Sequence, residues 1–508
     1  MSRTAPHLPL LSTDRASAAR GSSSRPAVSR PSARRWSGSA RAAASAAAGL
    51  SLLLAGCTAS DEDAPAEPTA SAPAEADETP VAVELPAGPL GDHARWLVGQ
   101  VSTDPLDDAE TAAARFSQAM LDQVGADEIL AGLESLRATG PWTPVAFDGS
   151  DAEAVMTIED TAGTFLDVQL VVDADGLMAG LLLTPGTDPD RPAPTSWDEL
   201  DERLDELGEV DASVLVSRVA EASGPSQAPG ERCEPVHAAG DTEAAMPVAS
   251  IVKLYVLAAV AEAVEAGTLT WDTPLTLTDD VRSLPSGTLQ DQPTGTVVTV
   301  RDAAGAMIAI SDNTATDLLV ATVGRDAVLA TMTATGHSDP SLNTPFLMTR
   351  DLFRLGWAGA ADAPAWDSLS ETEQAAAVAA LPGGPIVVDP AAVTTAVWED
   401  GVDWFATATD LCAVHVALQD AAGTGTGGPV REILAANPGV EVDTAAWPYV
   451  GFKGGSTPGV VAGSWYAEDA EGAAVVVSVQ LASSDPATLP SIGTFVDLSE
   501  AALTLAAE

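Results

Sequence analysis

Ser250 and Lys253 stand three residues apart in the stretch Ala249-Ser250-Ile251-Val252-Lys253, which opens an apolar run. On a helix, that spacing places the hydroxyl and the amine on one face. A serine hydroxyl is a weak nucleophile near neutral pH and needs a base within reach. A lysine serves as that base only if its pKa falls, and burial or a second nearby cation lowers it. The N-terminus of such a helix also offers free backbone N–H groups to a developing oxyanion. The chain of 508 residues holds only two lysines, Lys253 and Lys453, and uses arginine for every other fixed positive charge. Lys453 is therefore the candidate for the second cation.

A Ser-x-x-Lys match alone is common. Two further segments give it weight: Ser311-Asp312-Asn313, which follows the apolar Met307 to Ile310, and Lys453-Gly454-Gly455-Ser456 on a predicted strand near the C-terminus. Taken separately, the first is also a good helix cap and the second an edge-strand charge. In this order, with 61 residues from Ser250 to Ser311, the three segments resemble those of class A serine β-lactamases and penicillin-binding proteins. The resemblance covers roughly Ser196 to Glu508. It implies that Ser250 is the acylated nucleophile and Lys253 its base. Ser311 would relay the proton to the leaving nitrogen, Asn313 would bind the substrate's amide side chain, and Lys453 would attract its carboxylate and tune Ser311. The backbone N–H groups of Ser250 and Ser456, the latter next to Gly455, would form the oxyanion hole.

The sequence departs from that family in two places. Gly454 stands where a threonine or serine normally supplies a hydroxyl, and no arginine follows Arg431. No glutamate occurs between Glu265 and Glu371, where class A enzymes carry the residue that activates water. Asp339-Pro340-Ser341-Leu342-Asn343 resembles their Glu-Pro-x-Leu-Asn segment, so Asp339 is either the deacylation base or a turn residue before Pro340. A narrower resemblance is to the β-lactamase-like proteins of clavulanic acid biosynthesis clusters. It rests on Pro141-Trp142-Thr143-Pro144, Ser283-Leu284-Pro285-Ser286-Gly287, Asn343-Thr344-Pro345-Phe346-Leu347, Asp403-Trp404-Phe405 and the Lys453 segment. That group implies a small steroid-isomerase or cyclase-like domain ahead of the lactamase-like one, poor β-lactamase activity and some esterase activity. It also implies a place for Ser286 near the pocket, although a Pro-Ser-Gly turn explains that residue equally.

The elements that must position these residues form an α/β (α+β) chain of two domains. Residues 91–190 read as a small α+β domain. Phe116, Met120 and Val124, then Ile129, Leu133 and Leu136, mark helices, and strand-like runs follow at Ala152 to Ile158, Phe165 to Val172 and Leu177 to Leu183. With no acid/base pair of its own, it reads as a packing or spacing module. Residues 191–508 read as the catalytic domain. Ser196-Trp197-Asp198-Glu199 is a capping box, a strand lies at Val214 to Val219, and the nucleophile helix carries Leu254, Leu257, Val260 and Val264 to an end at Gly267. Three strands near the C-terminus, Tyr449 to Gly455, Val460 to Tyr466 and Ala473 to Leu481, must meet the first across a helical insert. That predicts an antiparallel sheet flanked by helices, with a helical lobe.

The net charge of -50 excludes nucleic-acid binding as the leading function. Residues 1–56 carry arginines and then a short apolar run ending Leu54-Ala55-Gly56-Cys57, the layout of a lipoprotein signal with Cys57 as the lipidated residue. Residues 57–90, rich in Ala, Pro, Glu and Asp, read as a disordered tether. The expectation is an exported, membrane-anchored enzyme acting on a β-lactam, an ester or a peptidoglycan peptide. A D-alanyl-D-alanine peptidase and a slowly deacylating β-lactam sensor are the alternatives. No cofactor is implied, and five scattered histidines offer no metal-ligand spacing. Cys233 and Cys412 either pair or remain free, Cys412 within an apolar helical pattern.

Overall fold

A computed structural model describes residues 82–121, 124–150, 152–224, 227–358, 366–388 and 392–508. The expected signal segment, the Cys57 lipidation site and residues 57–81 of the expected tether lie outside the described residues, whereas its last two residues, Pro89 and Leu90, belong to the helix Pro89–Val101, with Leu90 buried in a hydrophobic core.

The N-terminal part of the described chain holds an antiparallel meander of β1 (Thr143–Gly149), β2 (Glu153–Glu159), β3 (Phe165–Val172) and β4 (Met178–Pro185). The helices Pro89–Val101 and Ala126–Arg137 pack on it, and Leu97, Leu133, Met156, Ile158, Leu170 and Met178 form its core. The predicted runs match β2, β3 and β4. The sequence reading missed β1, which carries Pro144 and a bulge between Pro144 and Ala146. Proline cannot donate to a ladder and is tolerated here because β1 is an edge strand.

The chain beyond it contributes β5 (Asp211–Val219), β6 (Cys233–Gly240), β7 (Met246–Pro247), β8 (Pro274–Thr276), β9 (Val297–Thr299), β10 (Phe405–Ala406), β11 (Tyr449–Thr457), β12 (Val460–Glu468) and β13 (Ala474–Ala482). Its main sheet is antiparallel in the order β11-β12-β13-β5-β6. The expected meeting of β5 with the three C-terminal strands holds, and β6 adds a fifth. Pro235 and the polar make-up of β6 hid it, and it too is an edge strand, with a register shift opposite at Val216/Ser217.

Strand β13 is buried along its whole length because helices cover both faces of the sheet. Val475, Val477, Val479 and Leu481 pack with Phe495 and Leu498 of the helix Ile492–Leu505. Ala474 and Val476 pack with Cys412 and Val416 of the helix Ala408–Ala422. Each such large aliphatic contributes about 1.5–3 kcal/mol on burial. A disulfide joins Cys233 to Cys412, with Cα atoms 6.2 Å apart, and ties the start of β6 to the helix Ala408–Ala422.

The helix Lys253–Glu265 runs through the main core. Lys253 to Ala261 are all buried, so the predicted apolar stripe is a helix enclosed on every side. Around it lie Val300–Ala309, Asn313–Val323, Arg325–Thr335 and Thr349–Trp357. Gly324, at φ +93°, turns the chain by 90° between the second and third of these. Ser196 caps the helix Trp197–Asp205 through the Glu199 N–H as expected, but the Glu199 carboxylate accepts from Thr195 instead of closing a box on Ser196. Among the described residues no single helix is long and apolar enough to cross a membrane.

Candidate active site

Ser250 sits in a 3-10 turn, Ala249–Val252, that leads into the helix Lys253–Glu265. The short pairing of β7 with β10 fixes the approach, and Val248 N–H donates to Trp404 O at 2.8 Å. Ala249 has φ +44°, and Ser311 has φ +55°. These are the two non-glycine residues with positive φ among the described residues, and both border the site. A side chain held in the left-handed region persists only where its surroundings over-determine it.

Lys253 is fully buried, and its Nζ donates to Ser311 O at 2.6 Å, Asn313 Oδ1 at 2.7 Å and Ser311 Oγ at 2.9 Å. Lys453, buried on β11, reaches the same Ser311 Oγ at 3.0 Å and its own neighbour Gly454 O at 2.6 Å. Burial, and after it the charge of Lys453, hold the Lys253 amine well below the usual lysine range, against the pull of Asp312 and Asp317. Burial brings Lys453 down to about 7. Both amines are thus driven toward neutrality. Once one of them is neutral, its lone pair can accept the Ser311 hydroxyl proton.

The segment Ser311-Asp312-Asn313 divides its work. Asp312 is the helix cap, accepting from Ala315 N–H, and its other oxygen accepts from Thr288 and Leu289 N–H at 2.8 Å each. Ser311 and Asn313 face the lysines. Asn313 Nδ2 donates to Leu284 O at 3.2 Å. Ser286 lies against the same segment: its Oγ donates to Ser311 O at 2.8 Å, and its carbonyl accepts from Asn313 N–H at 3.0 Å. Gly287, at φ +100°, allows this approach, since a Cβ there would lie 2.3 Å from Asp312 Cγ.

Strand β11 passes directly over the turn that carries Ser250. A Cβ on Gly455 would lie 2.2 Å from Val248 O and 2.9 Å from Ser250 N. Next along the strand, Ser456 is exposed. As the open edge of the sheet, β11 turns every other N–H away from β12. Gly454, where a hydroxyl residue was expected, has its side-chain space taken by Phe452, whose ring stacks on Trp465 at 4.9 Å.

Three expectations are modified by this geometry. Lys253 spends its contacts on Ser311 and Asn313, and Ser250 Oγ makes no hydrogen bond among the described residues. Asn313 is held between Lys253 and Leu284. Asp339 is not brought to the cluster: its carboxylate is exposed and accepts from Ser341 N–H at 3.1 Å and Ser341 Oγ at 2.5 Å, capping the turn Pro340–Asn343. The inward member of that segment is Asn343, which grips Phe405 N–H and O.

Sequence reasoning gave no role to Asp403, which is buried and which burial raises to about 6. Its signal was a lone acid inside the apolar stretch Val402 to Ala406. Among the described residues no group of three or more His, Cys, Asp or Glu is placed to hold a metal.

Residues 235–386 match the family model of the "Beta-lactamase enzyme family", and residues 85–178 match that of the "ORF 12 gene product N-terminal". The first match contains Ser250, Lys253, Ser311 and Asn313 and ends before Lys453. No curated protein matches the chain. Among solved structures, a β-lactamase from Sphaerobacter thermophilus DSM 20745 is 20% identical, over 61% of this chain and 96% of its own, at a TM-score of 0.43. PBP-A is 17% identical, over 63% and 97%, at 0.40. L2 complexed with relebactam is 17% identical, over 62% and 95%, at 0.39.

Proposed function

We propose that this protein is a serine hydrolase of the β-lactamase and penicillin-binding kind, acting through an acyl-enzyme on Ser250. The observation that carries this reading is the convergence of both buried lysines on Ser311 Oγ, at 2.9 and 3.0 Å, with Lys253 one turn beyond Ser250 in the chain. Ser250 Oγ attacks the carbonyl carbon of a β-lactam or ester and gives its proton to the neutral Lys253 amine. The oxyanion is held by backbone N–H groups of the nucleophile turn and β11. As the C–N or C–O bond breaks, the Ser311 hydroxyl protonates the leaving atom and is reprotonated from Lys253. Lys453 lowers the Lys253 pKa and orients Ser311. Water then hydrolyses the ester on Ser250.

The outward turn of Asp339 favours a second reading, in which that last step is slow and the acyl-enzyme persists, as in a β-lactam sensor or a peptidase whose acceptor is an amine. Turnover separates the two. Steady-state hydrolysis of penicillin or of an activated ester faster than about 1 per second supports a hydrolase. A single burst that stops at one equivalent supports the persistent acyl-enzyme.

The placement proposed for the protein is the outer face of the cell membrane, anchored by a lipid on Cys57. The Cys233–Cys412 disulfide supports it, since such bonds persist in oxidising compartments. The kinship proposed between the small domain and that of the clavulanic-acid-cluster proteins rests on the segment Pro141-Trp142-Thr143-Pro144.

A further inference from the structure

The geometry points to Asp403 as a positioning residue that clamps the nucleophile turn to the strand beside it. Its Oδ1 accepts from Ala249 N–H at 2.9 Å, the residue immediately before Ser250. The same oxygen accepts from Trp404 N–H at 2.7 Å. Its Oδ2 accepts from Thr457 Oγ1 at 3.1 Å, at the far end of β11. One buried carboxylate therefore joins three pieces: the turn that holds Ser250, the strand that carries Lys453 and Ser456, and the Trp404–Phe405 segment.

That last segment is itself fixed in the helical lobe. Trp404 Nε1 donates to Leu347 O at 3.2 Å, and Asn343 holds both polar backbone groups of Phe405. Asp403 thus refers the nucleophile turn to a rigid frame. It also accounts for Ala249 at φ +44°, a conformation that a non-glycine residue keeps only when the surrounding bonds demand it. The Asp403 link joins Ala249 and Thr457, the direct chain neighbours of Ser250 and Ser456, whose N–H groups it therefore ties together through one residue on each side. Its role is to set the separation of those two groups, on which an oxyanion hole depends.

This inference rests on Ser250 being the acylated nucleophile, and the test keeps the two apart. The rate of Ser250 acylation by penicillin is followed by mass spectrometry over a range of concentrations, which separates non-covalent affinity from the acylation step. Wild type is compared with Asp403→Asn, Asp403→Ala, Thr457→Val and Thr457→Ser. The expected result is an acylation step slowed about 100-fold in Asp403→Ala and about 10-fold in Thr457→Val, with affinity unchanged. Thr457→Ser, which keeps the hydroxyl, stays within about 3-fold of wild type, and Asp403→Asn, which keeps an acceptor for Ala249, lies between the extremes. If Asp403→Ala does not fold, Thr457→Val carries the test alone. Wild-type acylation rates in Thr457→Val, or a loss confined to affinity, would overturn the clamp. Wild-type protein with no adduct on Ser250 would instead overturn the serine-hydrolase reading on which it rests.

Discussion

Lys253 and Lys453, 200 positions apart in a chain that has no other lysine, meet at one oxygen, Ser311 Oγ. One amine arrives from the helix Lys253–Glu265 and the other from the edge strand of the sheet. Two ammonium groups sharing a buried acceptor repel each other, and desolvation adds to that, so the arrangement favours a neutral amine near neutral pH. A structural salt bridge would have supplied a carboxylate as the shared partner. Here the shared partner is a hydroxyl, which can pass a proton on.

Replacing Lys453 tests that coupling. Its charge helps to hold the Lys253 pKa down, so Lys453→Met raises it. The base form of Lys253 then appears only at higher pH, and the acid limb of the acylation profile moves to higher pH. The rate at pH 7 falls about 100-fold, because Ser311 also loses a partner. An acid limb that stays in place in the pH–rate profile would contradict the coupling.

Asp317 gives a prediction on stability. Burial, with the charge of Asp351, raises it from 3.8 to about 7, although Thr349 and Arg350 N–H donate to it. Between those two values the folded state keeps a proton that the unfolded state has lost. The stability this group contributes is therefore full below pH 4 and is lost as pH rises through 7. Asp317→Asn removes the slope. Urea midpoints of variant and wild type should converge or cross between pH 4 and pH 8, and parallel curves would argue against a buried proton.

The disulfide closes a separation of 179 residues and joins two elements of the sheet-side core. Cys233→Ser with Cys412→Ala should cost about 2–5 kcal/mol in urea unfolding. Reduction of the wild type should give a comparable loss, and the double variant should not respond to reductant.

Asp339→Ala should leave the deacylation rate within about 2-fold of wild type, because the carboxylate faces solvent and serves Ser341. A general base at that step is worth about 100-fold or more. A loss of that size in single-turnover decay of the acyl-enzyme would show that Asp339 swings inward during the reaction.

The sequence made the site legible through scarcity and order. Two lysines in 508 residues, each three positions from a serine, pointed to one place, and the period of the apolar residues placed Ser250 at a helix start. The antiparallel sheet flanked by helices followed from four well-patterned strands. Strands β1 and β6 escaped because edge strands tolerate Pro144 and Pro235 and need not alternate. Asp339 was read by its neighbours Pro340, Leu342 and Asn343. The local pattern was sound, but a turn presents its residues to opposite sides, and it is Asn343 that faces inward. Asp403 was invisible in role because its partners, Ala249 and Thr457, lie 154 and 54 residues away.

The most direct test of the central claim is intact-protein mass spectrometry after incubation with penicillin, followed by peptide mapping of the adduct. The account predicts one added penicilloyl group per chain, located on Ser250, absent in Ser250→Ala and strongly slowed in Lys253→Ala. An adduct on another residue, or Ser250→Ala protein that still acylates at the wild-type rate, would contradict it.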